Sequence, residues 1–316
     1  MNRSEIVKKG VFEARVLSNL QIRQCYYRLD LQLDKRGSDL FSDVIPGQFL
    51  ELDISGAAVP NESDIPEHLK DASPRPVLLR RPFSFSDVSI NRNPKGTSVK
   101  VQILYCVLGP GSIRMANLKR NDNVNILGPL GNGFSIPDTI TNAVLIGGGM
   151  GSPPILHLAD YLKLNYPQCD VVSFIGAKSS DDFPFSILID NERGVLLEEF
   201  ERIRVPSHVA TDDGSAGYQG FVTDQASDWL EKSNIDPAST VIYGCGPEPM
   251  LAATARLAEH SRLPCQVSME RMMACGIGLC QSCAVEVKTI SADTHYHLCC
   301  KDGPVFNAED VVWQVD

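Results

Sequence analysis

Five of the chain's ten cysteines fall in one short stretch, at Cys275, Cys280, Cys283, Cys299 and Cys300. The first three stand in C-x4-C-x2-C order, Cys275-Gly276-Ile277-Gly278-Leu279-Cys280-Gln281-Ser282-Cys283, with a fourth thiol to come from Cys299 or Cys300. A reducing compartment disfavours disulfides, so cysteines clustered there point to metal or redox chemistry. Four thiolates can hold the two irons of a [2Fe–2S] cluster, and plant-type clusters use a similar opening. Gly276 and Gly278 suit that use: a loop wrapped around a cluster needs φ > 0 and must turn its N–H groups towards sulfide. A structural zinc site is the competing reading, but such sites usually carry two C-x2-C pairs and only one is present here. Inert buried thiols are the third reading. His295 and His297 lie near the fourth cysteine, yet the supply of cysteines argues against a Rieske-type pair. Residues 266–316 hold too few apolar side chains for a large core, and a metal centre would supply the missing stability.

The 316 residues suit two compact domains and this small third unit. A formal net charge of −10 excludes a broad nucleic-acid footprint, which needs a basic surface. No uninterrupted apolar run approaches the roughly 20 residues of a membrane helix. The stretch MNRSEIVKKGVFEARVLSNL lacks the continuous apolar region of a signal peptide. The expectation is a soluble cytoplasmic protein that binds neither nucleic acid nor membrane.

Residues 11–136 read as β-rich. Tyr26-Tyr27-Arg28-Leu29-Asp30-Leu31-Gln32-Leu33 and Val99-Lys100-Val101-Gln102-Ile103-Leu104-Tyr105 alternate in part, and Pro46-Gly47, Gly109-Pro110-Gly111 and Gly128-Pro129-Leu130-Gly131 separate such runs. Short strands with regular turn signals predict an antiparallel barrel. Residues 57–76, with several prolines and acids and little periodicity, read as an exposed insertion or loop. From about 140 the pattern changes. Apolar runs at 143–146, 171–176 and 241–244 act as strands, with helices expected over 154–164 and 249–260. That alternation predicts a doubly wound parallel sheet.

Two of these strands end in glycine-rich turns. Gly147-Gly148-Gly149-Met150-Gly151-Ser152-Pro153-Pro154 would let backbone approach a phosphate at a helix N-terminus, with proline suited to the first helical turn. Tyr243-Gly244-Cys245-Gly246-Pro247 repeats the arrangement, and two such ends side by side would line a nucleotide crevice. In both places a tight structural turn is the alternative. Asp212-Asp213-Gly214-Ser215 reads as a turn, and His157, His208 and His260 fall in no recognisable site. After the strand at 171–176, Gly176-Ala177-Lys178-Ser179-Ser180-Asp181-Asp182 offers acids and one lysine but no arginine. An acid suits a ribose hydroxyl and an arginine a 2′-phosphate, which favours NADH over NADPH. In the β-rich half, Arg81-Pro82-Phe83-Ser84 provides a guanidinium suited to phosphate beside a small hydroxyl.

The order Arg81-Pro82-Phe83-Ser84, then Gly147-Gly148-Gly149, then Cys245-Gly246-Pro247 resembles the ferredoxin–NADP reductase-like flavoproteins. Over nearly the whole chain the resemblance is to the electron transfer subunits of class 1B dihydroorotate dehydrogenases. Pro46-Gly47-Gln48-Phe49-Leu50, Gly128-Pro129-Leu130-Gly131-Asn132-Gly133-Phe134, Ala210-Thr211-Asp212-Asp213-Gly214, Arg271-Met272-Met273-Ala274-Cys275-Gly276-Ile277-Gly278 and Cys300-Lys301-Asp302-Gly303-Pro304-Val305-Phe306 support it.

The resemblance implies an FAD-binding Greek-key barrel over 1–137, an NAD-binding domain over 138–265 and a [2Fe–2S] domain over 266–316. It places FAD on Arg81, Pro82, Phe83, Ser84, Leu104, Tyr105, Cys106, Gly111 and Ser112. It places NAD(H) on Gly147, Gly148, Gly149, Gly151, Ser152, Pro153, Cys245, Gly246 and Pro247. The cluster falls to Cys275, Cys280, Cys283 and Cys300, the family's last ligand standing directly before an acidic-Gly-Pro segment. It implies electron relay between an FMN-containing dihydroorotate dehydrogenase subunit and NAD⁺ in a heterotetramer. No side-chain acid or base is then required, since placement and tuning are the protein's part.

The chain departs from the family pattern in three places. The 57–76 insertion is long, Cys106 stands where a basic residue would be unsurprising, and Gly109-Pro110-Gly111 shortens its loop. Related subunits of ferredoxin-linked transhydrogenases and sulfur-reducing hydrogenases keep the chemistry but change the partner; one of those groups tends to have Asp in place of its first cysteine, unlike Cys275. The oxygenase reductases have a longer gap than that between Cys283 and Cys300. A non-enzymatic binding protein stabilised by zinc is the reading from another class.

Overall fold

The computed structural model describes residues 9–94, 96–288 and 294–314. The chain divides into two compact units. One ends at Gly131 and takes in Met272–Cys283; the other holds Asn132–Arg271 and the chain from Ala284 onward.

In the first unit the described residues form seven strands: β1 (Gly10–Gln21), β2 (Tyr26–Leu33), β3 (Phe49–Asp53), β4 (Arg81–Ser84), β5 (Asp87–Asn93), β6 (Gly96–Cys106) and β7 (Asn123–Leu130). Their spatial order is β4-β3-β7-β1-β2-β6-β5, and every pairing is antiparallel. Alternation decides which face is buried. On β2 the buried leucines Leu29, Leu31 and Leu33 line the core, and Leu29 and Leu31 pair with Ile103 and Val101 of β6. Each such fully buried aliphatic side chain contributes roughly 1.5–3 kcal/mol. Two short helices close the ends. Helix α1 (Lys35–Leu40) is capped by Asp34, which accepts the Gly37 N–H at 2.7 Å, and α2 (Pro110–Ala116) buries Ile113 and Met115.

The 57–76 segment is not wholly exposed, contrary to expectation. Two 3-10 turns, Glu62–Asp64 and Glu67–Ala72, turn Ile65 and Leu69 into the barrel core while the acids around them stay in water. Two apolar residues in a polar run carry no periodicity that a sequence reading could detect.

The second unit contributes β8 (Asn142–Gly148), β9 (Asp170–Ala177), a hairpin of β10 (Ile187–Asp190) and β11 (Gly194–Leu197), then β12 (Ser207–Thr211), β13 (Tyr218–Gln219), β14 (Thr240–Cys245) and β15 (Cys265–Ser268). A second hairpin, β16 (Ala284–Lys288) and β17 (Thr294–Leu298), precedes β18 (Val305–Asn307). The main sheet runs β13-β12-β9-β8-β14-β15-β18 and is parallel apart from β18. Helices α3 (Ser152–Asn165), α4 (Glu198–Arg202), α5 (Val222–Lys232) and α6 (Glu248–Ser261) connect its strands. Strands β8 and β14 are buried along nearly their whole length, as parallel strands covered on both faces must be. The C-terminal stretch also joins this sheet: Val267 of β15 pairs with Phe306 of β18, so part of 266–316 shares a core with what precedes it.

His157 lies within α3 and is buried, which lowers its imidazole to about 4. The unfolded chain takes up the same proton near pH 6.5. Between pH 6.5 and 4 the unfolded state therefore binds more protons, and stability is lost as pH falls through that window. The expected loss reaches about 3 kcal/mol by pH 4. Urea unfolding at pH 7 and pH 5 should show the decline, and His157→Gln should flatten it.

Candidate functional site

In the first unit, β4 carries Arg81, Pro82, Phe83 and Ser84, all half-buried, opposite Leu52, Glu51, Leu50 and Phe49 of β3. Arg81 uses Nη1 on the carbonyls of Leu79 (2.8 Å) and Arg80 (3.2 Å), which fixes the guanidinium and leaves the rest of its fork for an anion. Gly111 lies against it: a β-carbon there would be 3.3 Å from Arg81 Cγ and Nε.

Phe83 meets Tyr105 of β6 edge-on at 6.3 Å, and Tyr27 stacks on Tyr105 at 5.5 Å. The Tyr105 hydroxyl donates to Asn19 Oδ1 at 3.0 Å, and burial pushes its phenol well up, so it stays neutral. Leu104 is buried, and Cys106 ends the strand. Ser112 is used locally: its Oγ accepts the Leu108 and Gly109 N–H groups at 2.9 and 3.2 Å. Arg81, Phe83, Tyr105 and Gly111 are thus brought together around a guanidinium and an aromatic platform, while Ser112 shapes the turn beside them. These groups fit a flavin dinucleotide.

In the second unit the sheet order reverses between β8 and β14, and nucleotides bind beyond the strand ends at such a switch point. Gly147 pairs with Cys245 there. A β-carbon on Gly151 would lie 2.3 Å from the Cys245 carbonyl oxygen, and one on Gly148 2.5 Å from Met250 Sδ and 3.1 Å from Pro247 Cδ. The two glycine turns therefore pack against each other, and that packing accounts for Gly148, Gly151 and their neighbour Gly246. Gly149, at φ +50°, alone faces open space.

Ser152 opens α3 with its hydroxyl buried and without a hydrogen-bond partner, and Pro153 follows in the first turn. An open approach at Gly149 beside an unpartnered hydroxyl fits a dinucleotide. Burial pushes the Cys245 thiol up to about 12, so it serves as a small neutral wall. Asp213 is taken up in its own turn, accepting from Ser215 N (2.9 Å) and Oγ (2.6 Å). An open cavity of about 590 Å³, lined in part by Arg193, Arg204, His208 and Tyr218, includes none of the residues expected from sequence.

The cysteine loop from Cys275 to Cys283 belongs to the first unit. Gly276 (φ +63°), Gly278 (φ +83°) and Gln281 (φ +60°) turn it sharply. The Cys280 N–H points at Cys275 Sγ (3.4 Å), and Cys280 Sγ lies 3.2 Å from Ser282 Oγ. The Ser282 hydroxyl, with backbone and Cys275 contacts behind it, lowers the Cys280 thiol to about 6. A thiol that ionises readily and backbone amides turned to sulfur are what a cluster loop needs.

Glu51 of β3 is packed against this loop. It is fully buried, neither carboxylate oxygen has a hydrogen-bond partner, and a β-carbon on Gly276 would be 2.5 Å from its carboxyl carbon. Burial is the main cause that raises its pKa, with Arg80 pulling the other way.

In the second unit, Cys299 and Cys300 follow β17, both buried. Cys299 Sγ donates to the Met269 carbonyl at 3.2 Å, and Asp302 Oδ2 accepts the Leu298 N–H at 2.8 Å to shape the turn. Among the described residues no three Cys, His, Asp or Glu side chains converge on one ion. In a [2Fe–2S] cluster held by four cysteines the ligands are shared between two irons.

Residues 270–312 match the iron–sulfur cluster binding domain of dihydroorotate dehydrogenase B, and residues 145–256 match the oxidoreductase NAD-binding domain. The dihydroorotate dehydrogenase B (NAD(+)) electron transfer subunit of Caldanaerobacter subterraneus subsp. tengcongensis is 32% identical over 95% of this chain and 98% of its own. That of Bacillus velezensis is 33% identical over 94% and 96%. The chain belongs to the dihydroorotate dehydrogenase B electron transfer subunits.

As such a subunit it is an oxidoreductase component with an NAD-binding and an iron–sulfur cluster binding domain, and it relays electrons in pyrimidine biosynthesis. The fold agrees. An NADH-dependent reduced ferredoxin-NADP oxidoreductase superposes with a TM-score of 0.67 at 24% identity, covering 95% of this chain and 90% of that one. The ferredoxin reductase of carbazole 1,9a-dioxygenase does so at 0.56 and 19%, covering 82% and 68%. Among the described residues no helix is long and apolar enough to cross a membrane.

Two site features escaped the sequence reading. Glu51 left a faint signal, a lone acid in the apolar run Phe49-Leu50-Glu51-Leu52. The nearness of Cys25 to Cys106, whose sulfurs are 3.1 Å apart, left none.

Proposed function

We propose that this electron transfer subunit works with an FMN-containing dihydroorotate dehydrogenase catalytic subunit, as a cytoplasmic heterotetramer of two copies of each, and delivers its electrons to NAD⁺. One observation supports the relay above the others: the thiol loop packs on β3, the strand that pairs with β4 and its flavin candidates. Glu51, packed on Gly276 of the loop, is paired across the sheet with Pro82 of the Arg81–Ser84 strand. Carriers held by these two elements would be neighbours within one compact unit.

The residue roles are assigned on that basis. Arg81 and Gly111 receive the FAD diphosphate, and Phe83 and Tyr105 shape the face for its ring. Gly149 and Ser152, at the β8 end opposite Cys245-Gly246-Pro247, receive NAD(H). Cys275, Cys280, Cys283 and Cys300 hold the cluster, with Cys299 turned to the Met269 carbonyl instead. When bound, FAD exchanges two electrons with nicotinamide and the cluster exchanges one at a time. The protein positions these groups and supplies no acid or base. We assign FAD to 1–137, NAD(H) to 138–265 and the cluster to 266–316 as functional segments.

The acids of 176–182 and the lack of arginine there favour NADH. Anaerobic titration of the purified chain should show flavin bands with a broader iron–sulfur shoulder, bleached by NADH at concentrations at least about tenfold below those needed for NADPH. Dihydroorotate should then reduce NAD⁺ only when the FMN subunit is present as well. Failure of that mixture to form NADH, with both subunits fully loaded, would reject the partner.

A further inference from the structure

Apart from the cluster loop, two thiols of the first unit face each other. Cys25 lies in the turn before β2 and Cys106 ends β6. Tyr26 pairs with Cys106 across the antiparallel ladder, and the Cys25 carbonyl accepts the Val107 N–H at 2.8 Å. This frame holds the sulfurs 3.1 Å apart, and both side chains are half-buried.

We propose that Cys25 and Cys106 form a redox-active dithiol that hydrogen peroxide converts into a reversible disulfide beside the flavin-site strand. Bonding requires the sulfurs to close to about 2.05 Å. A shift of about 1 Å is within reach of side-chain rotation while the main-chain ladder stays in place. Half-burial admits a molecule as small as peroxide. Of the other cysteines outside the cluster segment, Cys169 and Cys245 are buried, and Cys265 is half-buried with its thiol pushed up to about 12 by burial.

In the first step one sulfur attacks a peroxide oxygen. The O–O bond breaks, water leaves, and that sulfur becomes a sulfenic acid. In the second, the facing thiol attacks the sulfenic sulfur, the S–O bond breaks, a second water leaves and the S–S bond forms. Two thiols thus give up two protons and two electrons, and one peroxide becomes two waters. The bond would join the chain just before Tyr27 to the residue just after Tyr105, and those two rings are stacked. It therefore lies against the aromatic platform assigned to the flavin, although the thiol chemistry does not depend on that assignment.

The test uses the wild-type holoprotein, reduced, freed of reductant and exposed to a few equivalents of hydrogen peroxide. Remaining thiols are alkylated, and peptides are mapped by mass without reduction. The expected result is a peptide pair joined through Cys25 and Cys106 in more than half of the chains, absent after dithiothreitol. In Cys25→Ser, Cys106 should instead be trapped as a sulfenic acid by dimedone. Alkylation of both cysteines in treated wild-type protein would overturn the proposal. So would oxidation of Cys106 to the sulfinic acid with Cys25 still alkylatable. Both results can be read whether or not the chain relays electrons.

Discussion

Replacing Gly151 by alanine is expected to destabilise the second unit by about 3 kcal/mol and to weaken NADH binding with it. The new β-carbon would lie 2.3 Å from the Cys245 carbonyl oxygen, 2.4 Å from its carbonyl carbon and 2.5 Å from Gly246 Cα. All three are main-chain atoms, so no rotamer change relieves the collision. The end of β14 and the start of α3 would have to part. For a unit of this size the melting temperature should fall by roughly 6–12 °C. Gly149→Ala is the control. Its β-carbon would meet nothing within 4 Å, and only the left-handed backbone at φ +50° is strained, at a cost of about 1 kcal/mol. Thermal melts of both variants check the pair, and NADH titration is made on Gly151→Ala alone because Gly149 itself lies at the approach assigned to NAD(H). Equal behaviour would mean that the two glycine turns do not support each other.

The second large effect is expected at Cys300. Cys300→Ser should leave less than roughly a tenth of the wild-type iron and labile sulfide while FAD stays bound, because a hydroxyl is a poor substitute for a thiolate on iron. Cys299→Ser should keep the cluster, since serine can still donate to the Met269 carbonyl that Cys299 now faces, with a stability loss of about 1 kcal/mol. Iron, sulfide and flavin analysis of the two variants separates the neighbours. Cluster loss in Cys299→Ser with retention in Cys300→Ser would exchange their roles.

The parallel half was the more legible in the sequence. Its strands are short apolar runs that end in glycine, and the expected strand at 143–146 and helix at 249–260 lie within β8 and α6. The barrel was legible where alternation was clean, as on β2. The β10–β11 hairpin was missed, although Ile187-Leu188-Ile189 and Val195-Leu196-Leu197 flank a polar turn ending in glycine; three-residue apolar runs are too short to give a period.

At the sites, spacing points to the cysteine loop and to the glycine turns, for which both phosphate access and a tight structural turn are open from sequence. The packing of Gly151 against Cys245 supplies a structural reason for that glycine which spacing alone does not show. Contacts made at a distance along the chain leave no local pattern. Cys25 and Cys106, separated by 81 positions, are the plainest case.

The allocation of the chain between the two units has a consequence for biosynthesis. The first unit is interrupted at Gly131 and completed only by Met272–Cys283, after the 140 residues of Asn132–Arg271 have been made. At elongation rates of about 5–20 residues per second, that interval lasts roughly 7–30 s. During it the barrel has left the ribosome without the thiol loop, and the buried carboxylate of Glu51 lacks the cover that Gly276 later provides. A nascent chain stalled before residue 272 should therefore carry an incomplete first unit, more open to protease than the finished protein, and no single cut in the chain separates the two units cleanly.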